Sequence, residues 1–272
     1  MEDTAIAVHL REAVERGLVK RASTLAVNHD SEMMQRFLEI LSARRVGCLE
    51  LRVLHAAFDR RGFIVRGDQE GSNFGGSTLA GWFHDPARLA AQARRLRGVS
   101  GYVSINPVRA DLLARSDHRL ARMRHTTRDA DIVCLRWLYL DIDPVRPPEI
   151  SSTDHELAAA VSRRDAILGD HPALCASALW GRSGNGGWIL VRLPDYPNDP
   201  PHRALVAEAV GTIARAYSDQ AVVIDTSTVN PARLIGLPGT RKAKGSPRPD
   251  RPWRLVTLDG VGPGANAARR PS

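Results

Sequence analysis

The chain has 272 residues, a formal net charge of +8 and a pI near 10.1. That is long enough to bury one large core or two small units sharing a site, and the positive balance favours a polyanionic partner, since clustered cations displace counterions from phosphates. Lys occurs only at 20, 242 and 244, so the rest of the positive charge is Arg, an imbalance that fits coding bias as well as a binding surface. Cys48, Cys134 and Cys175 lie far apart without CxxC spacing, which leaves neither a zinc site nor a disulfide framework to read. The N-terminus has no apolar signal core, and no run approaches the roughly 18 apolar residues of a membrane helix. A cytoplasmic protein with no membrane partner is the expectation.

In chain order, the first thirty residues hold helix-compatible stretches with scattered charge, and Asp30 or Ser31 can cap a helix over 33–43 with Phe37, Ile40 and Leu41 on one face. Residues 48–55 read as helix or strand, and 62–66 as a short strand. Asp85 before Pro86 predicts a helix to about residue 96, stopped by Gly98. Residues 102–105 read as a strand ended by Asn106-Pro107, and the Arg-rich stretch 109–128 as a surface layer. The near-continuous apolar run 135–142, closed by Asp143-Pro144, predicts a strand buried on both faces. Thr153 and Glu156 have capping-box spacing and open a helix to residue 168. Two strands, 174–180 and 188–193, flank a glycine-rich hairpin, a helix covers 201–217, and strands cover 221–225 and 253–258. Beyond them, 260–272 reads as a disordered tail. From residue 135 the order is strand, helix, strand, strand, helix, strand, so the fold class is α+β with an RRM-like (ferredoxin-like) sheet. The expected division is an accessory α/β part over 1–100 and a core over 101–259.

Asp141 and Asp143 stand two apart on one strand, so both carboxylates point to the same side at its C-terminal end. Their repulsion is relieved by a divalent cation, and hard oxygen donors suit Mg²⁺ or Mn²⁺. Alone, this DxD pattern also fits exposed strand-end aspartates or a sugar-nucleotide transferase. Asp225 ends a second apolar strand that can neighbour the first; alone it reads as a turn-forming Asx residue. Together the three can hold two metals for an in-line phosphoryl displacement. Between them, the stretch from Arg182 through Ser183 and Asn185 to Gly187 can bring its backbone, a hydroxyl and a guanidinium to a phosphate, although such strings are more often plain turns. After Asp225 come Arg233, Arg241, Lys242 and Lys244, and two of the three lysines in this short stretch suit a triphosphate or a template backbone.

This series, over about 101–245, resembles the archaeo-eukaryotic primase superfamily, particularly the primase-polymerases of plasmids, phages and mobile elements. Asp141 and Asp143 look like its first motif, residues 183–188 its second, and Asp225 its third, with 230–233 and 238–244 similar to the strand and loop behind it. The resemblance implies a DNA primase or polymerase in which the three aspartates bind Mg²⁺ or Mn²⁺, a nucleoside triphosphate lies against the second motif, and single-stranded or primed DNA is the template. It also implies a helicase supplied by another chain or by a part not included. One departure stands out: family members commonly carry a His where Trp188 stands, and an indole donates one hydrogen bond and carries no charge. Trp188 is therefore a candidate nucleotide contact of altered chemistry, and the alternative is a nucleic-acid-binding or replication-initiation module that keeps the fold.

Overall fold

The computed structural model describes residues 29–43, 46–67 and 76–265; the helix-compatible stretches before residue 29 and the end of the tail, 266–272, lie outside them. Helix α1 (Ser31–Ser42) begins where the Asp30 carboxylate accepts the Met33 N–H at 2.9 Å, and its apolar stripe buries Met34, Phe37, Leu38 and Leu41. Strands β1 (Leu49–Phe58), β2 (Ile64–Arg66) and β3 (Ser77–Phe83) follow, so the ambiguous 48–55 segment is a strand. Strand β3 gave no sequence signal because Ala80 and Gly81 weaken its strand character. Asp85 caps helix α2 (Pro86–Ala93), and β4 (Gly101–Ser104) and β5 (Ala121–Arg122) complete the first half. The Arg-rich segment is more than a surface layer. Leu112 packs with Trp82, Val108 and Ile132, while Leu120 joins the main core.

The central apolar run is strand β6 (Cys134–Pro144), followed by α3 (Asp154–Asp170), where Thr153 and Glu156 form both halves of the capping box. Pro172 then starts one extra helical turn, α4 (Pro172–Ala176), where a strand was expected, because Pro is well placed in a first turn and the Cys175 N–H bonds the His171 carbonyl. Next come β7 (Ala178–Arg182), β8 (Gly187–Pro197), α5 (Pro200–Tyr217), β9 (Val222–Ile224), β10 (Leu234–Gly236), β11 (Arg241–Lys242), β12 (Arg254–Leu255) and β13 (Thr257–Val261). The tail is ordered beyond residue 260, because Gly262 and Gly264 donate to the Ala178 and Ala176 carbonyls and Ala265 is buried.

Two antiparallel sheets result. One runs β13-β7-β8-β6-β9, and without β13 this is the split β-α-β order anticipated from the sequence. The other runs β10-β4-β1-β3-β5, with β2 also paired to β1. The molecule is a mixed α+β fold. Strands β4 and β10, expected in the second unit, pair instead with the first sheet, so a boundary at residue 100 does not separate the two sheets. The chain passes to the second sheet at β6 and returns to the first at β10, nine residues after Asp225.

Alternation along β6 sorts its faces. Leu138, Leu140 and Ile142 pack with α3 and α5, whereas Trp137 and Tyr139 face a core shared with α1, α2 and the first sheet. Asp141 and Asp143 continue the second row, toward the other sheet. Among the described residues no helix is long and apolar enough to cross a membrane.

Candidate active site

The aspartates occur where β6 outruns the packed core. Asp141 is paired across the sheet with Trp188, Asp143 with Val223, and the Asp225 N–H donates to the Asp141 carbonyl at 2.9 Å, which fixes the end of β9 against the DxD strand. The Asp141 carboxyl is pushed up to about 7, by burial first and then by Asp143; Lys242 and a hydrogen bond from Tyr139 pull it down, and Asp225 adds a further push upward. All three aspartates and Lys242 therefore act on one locality. They do not form a closed cage: among the described residues no three His, Cys, Asp or Glu side chains are gathered closely enough to hold a metal ion. One reason is visible. The Asp225 carboxylate accepts the Ser227 N–H at 2.8 Å, capping a 3-10 turn over Thr226–Val229, as its Asx reading had it. Asp143 is half exposed and faces Arg146 at 3.4 Å.

The glycine hairpin lies against this pair for a steric reason. A Cβ at Gly186 would stand 2.3 Å from the Ile142 carbonyl oxygen and 2.9 Å from an Asp143 carboxylate oxygen, so only glycine lets the backbone come so near. The hairpin's polar side chains serve the turn. The Ser183 hydroxyl accepts the Gly186 N–H at 2.9 Å, and Asn185, 2 % exposed, accepts the Ser152 N–H at 3.0 Å, which ties the hairpin to the start of α3. Arg182 is on the opposite, helix-covered face of the sheet. It bonds the Thr257 hydroxyl at 3.2 Å and pairs with Asp259 at 3.4 Å, so strand alternation turns it away from the aspartates' face, where a phosphate contact was expected of it.

Trp188 shares the aspartates' face but is 0 % exposed, with its ring edge-on to Phe37 at 5.9 Å. In this arrangement it is a core residue rather than a nucleotide contact, because α1 covers the position. Its indole N–H is buried without a hydrogen-bond partner.

The basic loop divides similarly. The Lys242 ammonium donates to the Tyr102 hydroxyl at 3.1 Å and stands 4.6 Å from the centre of that ring. Burial raises the Tyr102 phenol, but the charge and hydrogen bond of Lys242 outweigh it and leave the phenol below its usual range. Arg233 bonds the Ser227 carbonyl at 2.5 Å and lies close enough to Tyr139 to oppose the strong upward push that burial gives that phenol. Arg241 reaches the Trp253 carbonyl at 3.4 Å, within the β11-β12 ribbon. Lys244 and Lys242 line a cleft of about 580 Å³ whose other wall is Leu54, His55, Arg66 and Tyr102 of the first sheet. Tyr102 and Arg146 had no sequence signal, since nothing local relates a strand of the first sheet to a lysine 140 positions later.

A solved structure titled "Crystal structure of primase RepB'" is similar to 85 % of this chain at 10 % identity and a TM-score of 0.38. This chain spans 57 % of that structure's chain. No protein-family model matches the sequence. No curated protein matches it either.

Proposed function

We propose that this chain is a metal-dependent nucleotidyltransferase of the primase-polymerase kind, which makes or extends a nucleic-acid strand on a template during replication of a mobile element or in repair. The observation that carries the proposal is the meeting of Asp141, Asp143 and the start of the Asp225 turn at adjacent strand ends, with the Lys242 charge acting on Asp141. The ordered series of motifs that resembles archaeo-eukaryotic primases supports the same reading.

The donor set fits a hard divalent cation: it is all carboxylate oxygen, and Lys242, Tyr139 and Arg146 offset only part of the burial and repulsion that hold the Asp141 carboxyl at about 7. Asp141 and Asp143 would hold Mg²⁺ or Mn²⁺ with the free oxygen of Asp225, and oxygens of a nucleoside triphosphate would complete the shell. When bound, such a cation would lower the pKa of an attacking 3′-hydroxyl and neutralise the phosphates. The protein's own contribution is positional and electrostatic. Lys242 supplies a fixed positive charge beside the carboxylates, Tyr102 holds it there, Arg233 adds a second charge behind Tyr139, and the Gly186 backbone keeps Asp143 in place.

The test is incubation of the full chain with Mn²⁺, labelled nucleotides and primed single-stranded DNA. Incorporation that disappears in the Asp141→Asn/Asp143→Asn double variant is the expected result. A second reading, a strand-binding module without catalysis, is favoured by the engagement of Asp225 in its own turn and by the burial of Trp188 where a charged contact is usual; template binding with no incorporation would select it.

A further inference from the structure

Asp143 has a cationic partner built into its own strand end. The segment after β6 is stiffened by Pro144, Pro147 and Pro148, and a residue before proline, as Arg146 is, is biased to extended backbone. Both ends of this loop are tied down. The Val145 N–H donates to the Ala221 carbonyl, the Ser151 hydroxyl to the Lys244 carbonyl at 3.2 Å, and Arg251 and Arg254 to the Ser151 and Ser152 carbonyls, each at 2.8 Å. Arg146 folds back into that frame. Its Nε donates to the Ile150 carbonyl at 3.2 Å, and its Nη1 to the Pro144 carbonyl at 3.2 Å and to one Asp143 oxygen at 3.4 Å.

The cation is the buried member of this pair: the Arg146 side chain is 7 % exposed and that of Asp143 42 %. Pinning a loop needs no charge, and taking a guanidinium out of water costs solvation that two carbonyls and a half-open carboxylate offset only in part. The guanidinium stays protonated at any ordinary pH, and salt screens a buried charge weakly. Asp143 therefore lives beside a permanent positive charge. One of its oxygens is oriented by Arg146, and the other has no hydrogen-bond partner among the described residues, which leaves it open to a ligand. Nη2 of Arg146 has no partner among the described residues either. A divalent cation taken by Asp143 shares its ligand with this fixed charge, whereas anionic phosphate oxygens are attracted by both.

We propose that Arg146 is a positioning residue that couples cation binding to nucleotide binding. It orients Asp143 and weakens the hold of the carboxylates on a bare divalent cation. A cation that arrives with phosphate oxygens brings the negative charge that offsets this repulsion, so cation and nucleotide each strengthen the binding of the other by the same factor. The inference rests on the proposed function for the carboxylates as cation ligands, and it adds a control on when that site fills.

The test titrates the full chain with Mn²⁺ alone, read by electron paramagnetic resonance, and separately measures binding of a fluorescent non-hydrolysable nucleoside triphosphate with and without Mn²⁺. Arg146→Gln should bind bare Mn²⁺ about fivefold tighter or more, and the factor by which Mn²⁺ tightens nucleotide binding should shrink. Damage to the loop would weaken Mn²⁺ binding, so a gain separates the charge effect from a merely structural role. Arg146→Met keeps the apolar stem, has to repeat the gain, and serves if the Gln variant does not fold. Arg146→Lys, which keeps the charge, should stay near wild type, as should Arg88→Gln, which removes an exposed charge elsewhere. Adding Asp141→Asn and Asp143→Asn should abolish the gain. The inference is overturned if the neutral variants bind bare Mn²⁺ no tighter than wild type, if Arg88→Gln gives the same gain, or if the gain survives loss of the aspartates. Tighter Mn²⁺ binding by the neutral variants of a chain that incorporates no nucleotide overturns the catalytic proposal and leaves this one standing; incorporation by wild type with unchanged Mn²⁺ affinity in the variants does the reverse.

Discussion

At Asp141, burial and the neighbouring Asp143 charge push a carboxyl that ordinarily titrates at 3.8 up to about 7. Between those values the folded, metal-free chain keeps a proton that the unfolded chain has released. Its contribution to stability is therefore full below about pH 4 and is lost as the pH rises through about 7. Thermal melts in EDTA should show Tm falling between about pH 5 and pH 8, and Asp141→Asn should flatten that fall. Divalent-cation affinity should rise over the same window, since the cation competes with the proton, and titration calorimetry with Mn²⁺ reads it directly. Trp188 raises a different question. Substituting His at this position removes a fully buried ring packed on Phe37, and by analogy with other large-to-small core changes should cost about 3 kcal/mol in chemical denaturation, without a gain in nucleotide affinity. Tighter nucleotide binding by Trp188→His would show that the position opens to the ligand.

Among the elements, the glycine hairpin between β7 and β8 is the most constrained piece of the site. Its residues could be read as a turn from sequence, but what the turn supports could not: Gly186 is required by the Ile142 carbonyl and the Asp143 carboxylate, both on another strand. Gly186→Ala should displace Asp143, reducing incorporation at least tenfold with a smaller loss of Tm. Helix α3 offers the contrast. Its capping box is local and was legible as Thr153 and Glu156. Thr153→Ala should cost about 1 kcal/mol of stability while leaving incorporation per folded molecule unchanged. Caps and apolar stripes are visible in sequence because they involve residues within one or two turns. The misread segments, β3, α4 and the 109–128 layer, are those whose packing partners are remote.

For the whole molecule, the crossing of the chain between sheets decides what can stand alone. Strands β4 and β10 pair with each other, and β4 also pairs with β1, so a fragment starting at residue 101 would leave an open sheet edge and half of the shared core. Residues 101–265 expressed alone should show no cooperative unfolding transition, whereas an independent core over 101–259 would give one. The same crossing explains why Tyr102 belongs to the site: β10 returns beside β4, and the loop after it carries Lys242 to the Tyr102 hydroxyl. The amino-acid sequence by itself determined the order of strands and helices from residue 135, the helix starts at Asp30, Asp85 and Thr153, and the common side of Asp141 and Asp143, because each follows from spacing along one element. Only the tertiary structure decided that Arg182 faces the helices, that Trp188 is sealed beneath α1, and that the first sheet supplies half of the cleft. Those outcomes depend on which remote surface covers each face, and that is set by the packing of two sheets on one core.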